Sequence, residues 1–125
     1  MTWSSSRFLR SLKHAWRGLL LGFQTEKNFR LQLAAGLVLL CVLWIFPLAR
    51  WERAILFVVM VLVLVLELLN SSIERVLDLL QPRLNPYAGD VKDLMAGAVL
   101  LASIGALVLA VYLFWPHLLA TLAHV

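Results

Sequence analysis

Apolar and polar residues follow two patterns along the chain. From Ser6 to Phe23 the apolar residues Phe8, Leu9, Leu12, Trp16, Leu19, Leu20 and Phe23 return at steps of three and four, while Arg7, Arg10, Lys13, Arg17 and Gln24 fall mostly between them. That spacing predicts an amphipathic helix over 6–25, suited to a membrane surface by its cations and its Trp. Three nearly unbroken apolar stretches follow, expected as spans over 29–49, 54–80 and 92–115, the second including an extension beyond the membrane. Pro47 and the charged segment Arg50 to Arg53 separate the first two closely enough to make them antiparallel neighbours. Pro82, Asn85, Pro86 and Gly89 break the chain before the third. The expectation is an all-α integral membrane protein: one domain over 1–125, with a surface helix and three transmembrane helices.

Composition excludes the main alternative. Of the 125 residues, 62% are hydrophobic and only 14% charged, more apolar surface than a soluble domain of this size could hide. The net charge of +4 says less than its placement. Of eleven Lys and Arg, six precede the apolar stretch that starts at Leu31, two lie between Leu48 and Ala54, three lie between Glu67 and Leu94, and none follows. Cations are retained on the cytoplasmic side, so the N-terminus is expected inside and the C-terminus outside. Because they hug the membrane boundaries instead of forming a solvated patch, no nucleic-acid partner is expected. The N-terminal segment also lacks the compact apolar core of a cleavable signal peptide. Cys41 offers no disulfide, and His14, His117 and His124 have no metal-ligand spacing. The five Trp fall near predicted interfaces, and Ala98, Ala102, Gly105 and Ala106 form a small-residue packing face in span three.

The candidate chemistry lies where span two turns polar. Glu67, Asn70, Glu74 and Asp78 share one helical stripe about 80° wide and so face one partner surface. The run before Glu67 is almost entirely Val, Leu and Met, which places this carboxylate at or just beneath the membrane boundary, where an ionised acid is costly. The bland explanation is that Glu67 snorkels or pairs with an Arg, while Glu74 and Asp78 are solvated. Four aligned polar groups, with Glu26 beside Lys27, Asn28 and Arg30 on the same predicted side, favour a functional site instead. No Gly-x-x-x-x-Gly-Lys-Ser/Thr loop and no protein-kinase motif set is present.

The run Glu67 to Asp78 resembles the signature of the prokaryotic diacylglycerol kinase family, which includes undecaprenol kinases. His14 to Gly18 (His-Ala-Trp-Arg-Gly), Glu26 to Arg30 (Glu-Lys-Asn-Phe-Arg) and Lys92 to Val99 (Lys-Asp-Leu-Met-Ala-Gly-Ala-Val) extend the likeness to roughly nine tenths of the chain. The chain departs from the usual pattern at Ser71-Ser72, at Asn85 where many members have His, and at His14 where some have Tyr.

The resemblance implies a homotrimeric bundle in a bacterial cytoplasmic membrane, with active sites shared between neighbouring subunits. ATP would phosphorylate a lipid alcohol, diacylglycerol or undecaprenol, with Mg²⁺ as cofactor. On matching positions Glu67 would be the general base and Asn70 a polar group positioning the site. Glu26 and Glu74 would hold Mg²⁺, and Arg7, His14, Trp16, Asn85, Lys92 and Asp93 would meet the nucleotide. Asp78 and Arg30 would complete the active site, and Glu67, Arg53 and Ala96 would meet the lipid. The runs Asn28 to Arg30 and Ala96 to Leu100 look slightly more like the undecaprenol kinases. A competing class is a small transporter or channel subunit in which Glu67 relays protons or cations; it accounts for Glu67 but not for Glu26, Lys92 and Asp93.

Overall fold

The structure is a computed structural model and describes residues 5–80 and 86–125. Those residues form four helices: α1 (Ser5–Thr25), α2 (Lys27–Ile45), α3 (Arg50–Leu80) and α4 (Tyr87–Ala123). The last three are long and apolar enough to cross a membrane. At 1.5 Å per residue α3 is about 46 Å long, well beyond a hydrocarbon core of about 30 Å.

α1 and α2 are almost one helix. Glu26 alone is extended (φ −111°, ψ 107°), yet its N–H still reaches the Gly22 carbonyl at 2.9 Å and its own carbonyl accepts from Arg30 at 3.2 Å. The bend leaves α1 carbonyls without helical partners, and the Arg30 guanidinium takes two of them, Phe23 O at 2.9 Å and Gln24 O at 3.1 Å. A cation at a helix C-terminus also meets the negative end of the helix dipole.

α3 packs between α2 and α4. Gly36 allows the close approach of α2, since a Cβ there would lie 2.7 Å from Met60 Sδ. Gly22 does the same for the end of α1, where a Cβ would meet Leu68 Cδ2 at 2.7 Å. The apolar core gathers at the opposite end from the acidic stripe: Leu43, Leu48, Leu56 and Leu113, with Phe46 and Phe114 packed edge to face at 5.6 Å. Most other large apolar side chains, on all four helices, are exposed, as befits helices surrounded by lipid or by further copies.

The helix bounds differ from those read in the sequence: α2 spans Lys27–Ile45, α3 begins at Arg50, and α4 begins at Tyr87 and ends at Ala123. Arg50 to Arg53 is the first turn of α3, not a connection. Glu52 Oε1 accepts from the Ala49 N–H at 3.0 Å, as the acid of a capping box does, and Arg53 donates to the Leu43 and Phe46 carbonyls that end α2. α4 runs on through Pro116 to Ala123, because one proline removes only one helical hydrogen bond and its fixed φ is helical.

Candidate active site

Glu67, Asn70 and Ser71 are the buried polar residues among those described, at 3%, 7% and 6% exposure. They occupy one stretch of α3 because the 3.6-residue repeat turns that face toward α2. Ser71 satisfies itself by donating to the Glu67 carbonyl at 3.0 Å. Glu67 takes no part in an ion pair among the described residues. Its carboxylate accepts instead from the neutral amide of Gln32 on α2, Nε2 to Oε2 at 3.5 Å. Asn70 Nδ2 donates to Glu74 Oε1, also at 3.5 Å, which leaves Asn70 Oδ1 buried with no partner.

One turn further along α3, Arg75 reaches the α1–α2 junction. Its guanidinium donates to Thr25 Oγ1 at 2.6 Å and pairs with Glu26 Oε1 at 3.2 Å, which brings Glu26 to the turn of α3 that carries Glu74. No group of three acids, His or Cys is close enough to hold a metal among the described residues. Beyond these carboxylates Lys92, in the second turn of α4, pairs with Asp78 at 2.8 Å.

The remaining residues expected at the site are spread more widely. Arg7 and His14 lie exposed on α1, and Trp16 lines an apolar cleft with Phe23, Phe29, Leu64 and Leu68. Asp93 borders a shallow hollow with Asp90 and Gly97, and Ala96 is exposed on α4. Arg53 is bound up in the α2 terminus and stacks on Trp44 at 5.2 Å, about 21 Å along the α3 axis from Glu67. Asn85 lies outside the described residues.

Gln32, Arg75 and Thr25 join the cluster without having been singled out from the sequence. For Gln32 a signal existed: it is the one amide within the first span, one turn beyond Asn28. For Arg75 and Thr25 none did, because their partners belong to other helices.

Three membrane-length helices, with an acid buried among them and acids and cations gathered above it, define an integral membrane protein whose polar chemistry sits at one end of a helical bundle. The family profile described as prokaryotic diacylglycerol kinase matches residues 13–114. A diacylglycerol kinase of Synechocystis sp. is 36% identical over 113 residues, covering 90% of this chain but 65%, just under two thirds, of that relative's length. An undecaprenol kinase of Bacillus subtilis is 34% identical over 113 residues, covering 90% of this chain and 92% of the relative. A diacylglycerol kinase of Escherichia coli is 30% identical over 112 residues, again covering 90% and 92%. The chain belongs to the prokaryotic diacylglycerol kinase family, a family of lipid kinases.

Proposed function

We propose that the chain transfers the γ-phosphoryl group of ATP to the hydroxyl of a membrane lipid, with Glu67 as general base. The observation that carries this reading is the state of Glu67: buried, at the end of an apolar run, and held by a neutral amide without a cation. An acid kept for structure in such a place would be neutralised by Arg or Lys. An acid kept to accept an alcohol's proton needs a dry site and room for the hydroxyl.

The donor set suits Mg²⁺. Glu26 and Glu74 supply carboxylate oxygens, the buried Asn70 Oδ1 beside Glu74 has no other partner, and Mg²⁺ commonly takes one or two carboxylates together with substrate phosphates. When bound, the ion would neutralise charge on the transferring phosphoryl group. Glu26 must then exchange Arg75 for the ion. Arg7, His14, Trp16, Asn85, Lys92 and Asp93 would meet the nucleotide, with Asp78 holding Lys92 ready and Arg30 fixing the helix end beside Glu26. Arg53 and Ala96 serve the lipid together with Glu67, and their separation along the bundle is consistent with an extended lipid chain. α1 lies on the cytoplasmic surface of a bacterial cytoplasmic membrane, the C-terminus is outside, and three copies share their sites; this part rests on charge placement and family resemblance.

Undecaprenol is the favoured substrate on the Asn28 to Arg30 and Ala96 to Leu100 runs. The test is purified protein in lipid-doped micelles with Mg²⁺ and labelled ATP, offered undecaprenol and diacylglycerol in parallel. Label is expected in lipid, faster into undecaprenol. Absence of label in either would sink the kinase reading, and faster labelling of diacylglycerol would reverse the substrate preference.

A further inference from the structure

The half-buried side chain of Gln32, with its amide oxygen buried, is the feature that the reaction as described leaves unused. Its Nε2 donates to Glu67 Oε2, while its Oε1 is buried and has no partner. The side chain borders an apolar cleft between α2, α3 and α4. The hydroxyl on that cleft, Ser103, cannot relieve it, because it already donates to the Val99 carbonyl of its own helix at 2.8 Å. An unpaired amide oxygen in an apolar interior is destabilising, and a Met or Leu at position 32 would remove that cost. The sequence nonetheless places there a group that carries one donor face and one acceptor face on a plane that can turn.

We propose that Gln32 is the positioning residue of the general base, serving Glu67 in both of its protonation states. This rests on the reading of Glu67 as base. Before transfer the amide N–H holds the carboxylate toward the lipid hydroxyl. In the transfer itself the lipid oxygen bonds to the γ-phosphorus of ATP, the bond from that phosphorus to the β–γ bridging oxygen breaks to leave ADP, and the hydroxyl proton passes to Glu67. Glu67 is then a donor, and the free Gln32 Oε1 accepts from it once the amide turns over. The 3.5 Å contact is long, and catalytic hydrogen bonds commonly tighten in the complex with the reacting groups.

Stability and activity should therefore move in opposite directions. Gln32→Met keeps side-chain length and removes both polar faces. It is expected to leave the Tm in micelles equal or higher, to leave KM for ATP unchanged, and to lower kcat about ten-fold or more, a part of the about 10²–10⁴-fold that general-base catalysis contributes. Gln32→His, which retains one donor and one acceptor, is expected to recover most of that loss. Glu67→Gln is measured alongside, and adding Gln32→Met to it should cost nothing further, since the two residues act as a unit. If Glu67→Gln is inactive while Gln32→Met turns over like the parent, the positioning role is overturned and the base reading stands. If Gln32→Met loses kcat but Gln32→His recovers nothing, or Tm falls with kcat, the role is structural and the proposal fails. If Glu67→Gln keeps its turnover, both readings fall together.

Discussion

Arg75 occupies the carboxylate that Mg²⁺ is expected to use. The pair is partly solvated, with side-chain exposures of 46% and 25%, so it is worth no more than the about 0.2–1 kcal/mol of a surface ion pair. Arg75→Gln is therefore expected to lower the Mg²⁺ concentration for half-maximal turnover, by up to about five-fold on that energy. Glu26→Gln and Glu74→Gln should raise it, and Mg²⁺ titration of the lipid-labelling assay reads all three. An unchanged Mg²⁺ requirement in Glu26→Gln would remove that residue from the metal site. The stripe from Glu67 to Asp78 was legible in the sequence because a single helix's period sets it. Arg75 and Thr25 were not, and Gln32, although the one amide of its span, could not be paired with Glu67 from the sequence, since which turns of the helices face each other depends on interhelical packing at Gly22 and Gly36.

At the scale of the helix, Gly36 shows how closely α2 and α3 must approach for Gln32 to reach Glu67. Gly36→Leu would drive its side chain into Met60 and should cost about 1–3 kcal/mol, as overpacking does. Pairing it with Met60→Ala should return part of that loss, and thermal unfolding in micelles distinguishes the two. At the other end of α3, Glu52→Ala removes the acceptor for the Ala49 N–H and the partner of His117 at 3.4 Å, and about 1 kcal/mol of stability should go with it. The apolar lengths of the helices were plain in the sequence. Their termini were not, because charge marks where the hydrocarbon ends, whereas hydrogen-bond partners mark where a helix ends. Arg50, Glu52 and Arg53 are charged and helical at once, and the backbone groups they satisfy belong to the α2–α3 connection.

Over the whole molecule, the single chain covers little of its apolar surface, with Leu94, Leu101, Leu107 and Tyr112 on α4 all more than 60% exposed. If neighbouring subunits share their sites, a Glu67→Gln subunit and an Asp93→Asn subunit, each inactive alone, should regain measurable turnover when reconstituted together. Mixtures as inactive as their parts would place each site within one chain. Orientation is testable in a Cys41→Ala background: Ser11→Cys should be shielded from an impermeant thiol reagent applied to intact cells, and Ala120→Cys labelled by it.

The single extended residue between α1 and α2 is also the residue expected to hold the metal. Any tilt of α1 turns about Glu26, so if α1 lies among lipid head groups and Glu26 holds the metal, the pose of the helix and the position of that carboxylate are one coordinate. A membrane whose surface charge draws the Arg7, Arg10, Lys13 and Arg17 face closer would set the affinity for Mg²⁺ without touching the reacting groups, making the bilayer itself an effector of its own kinase.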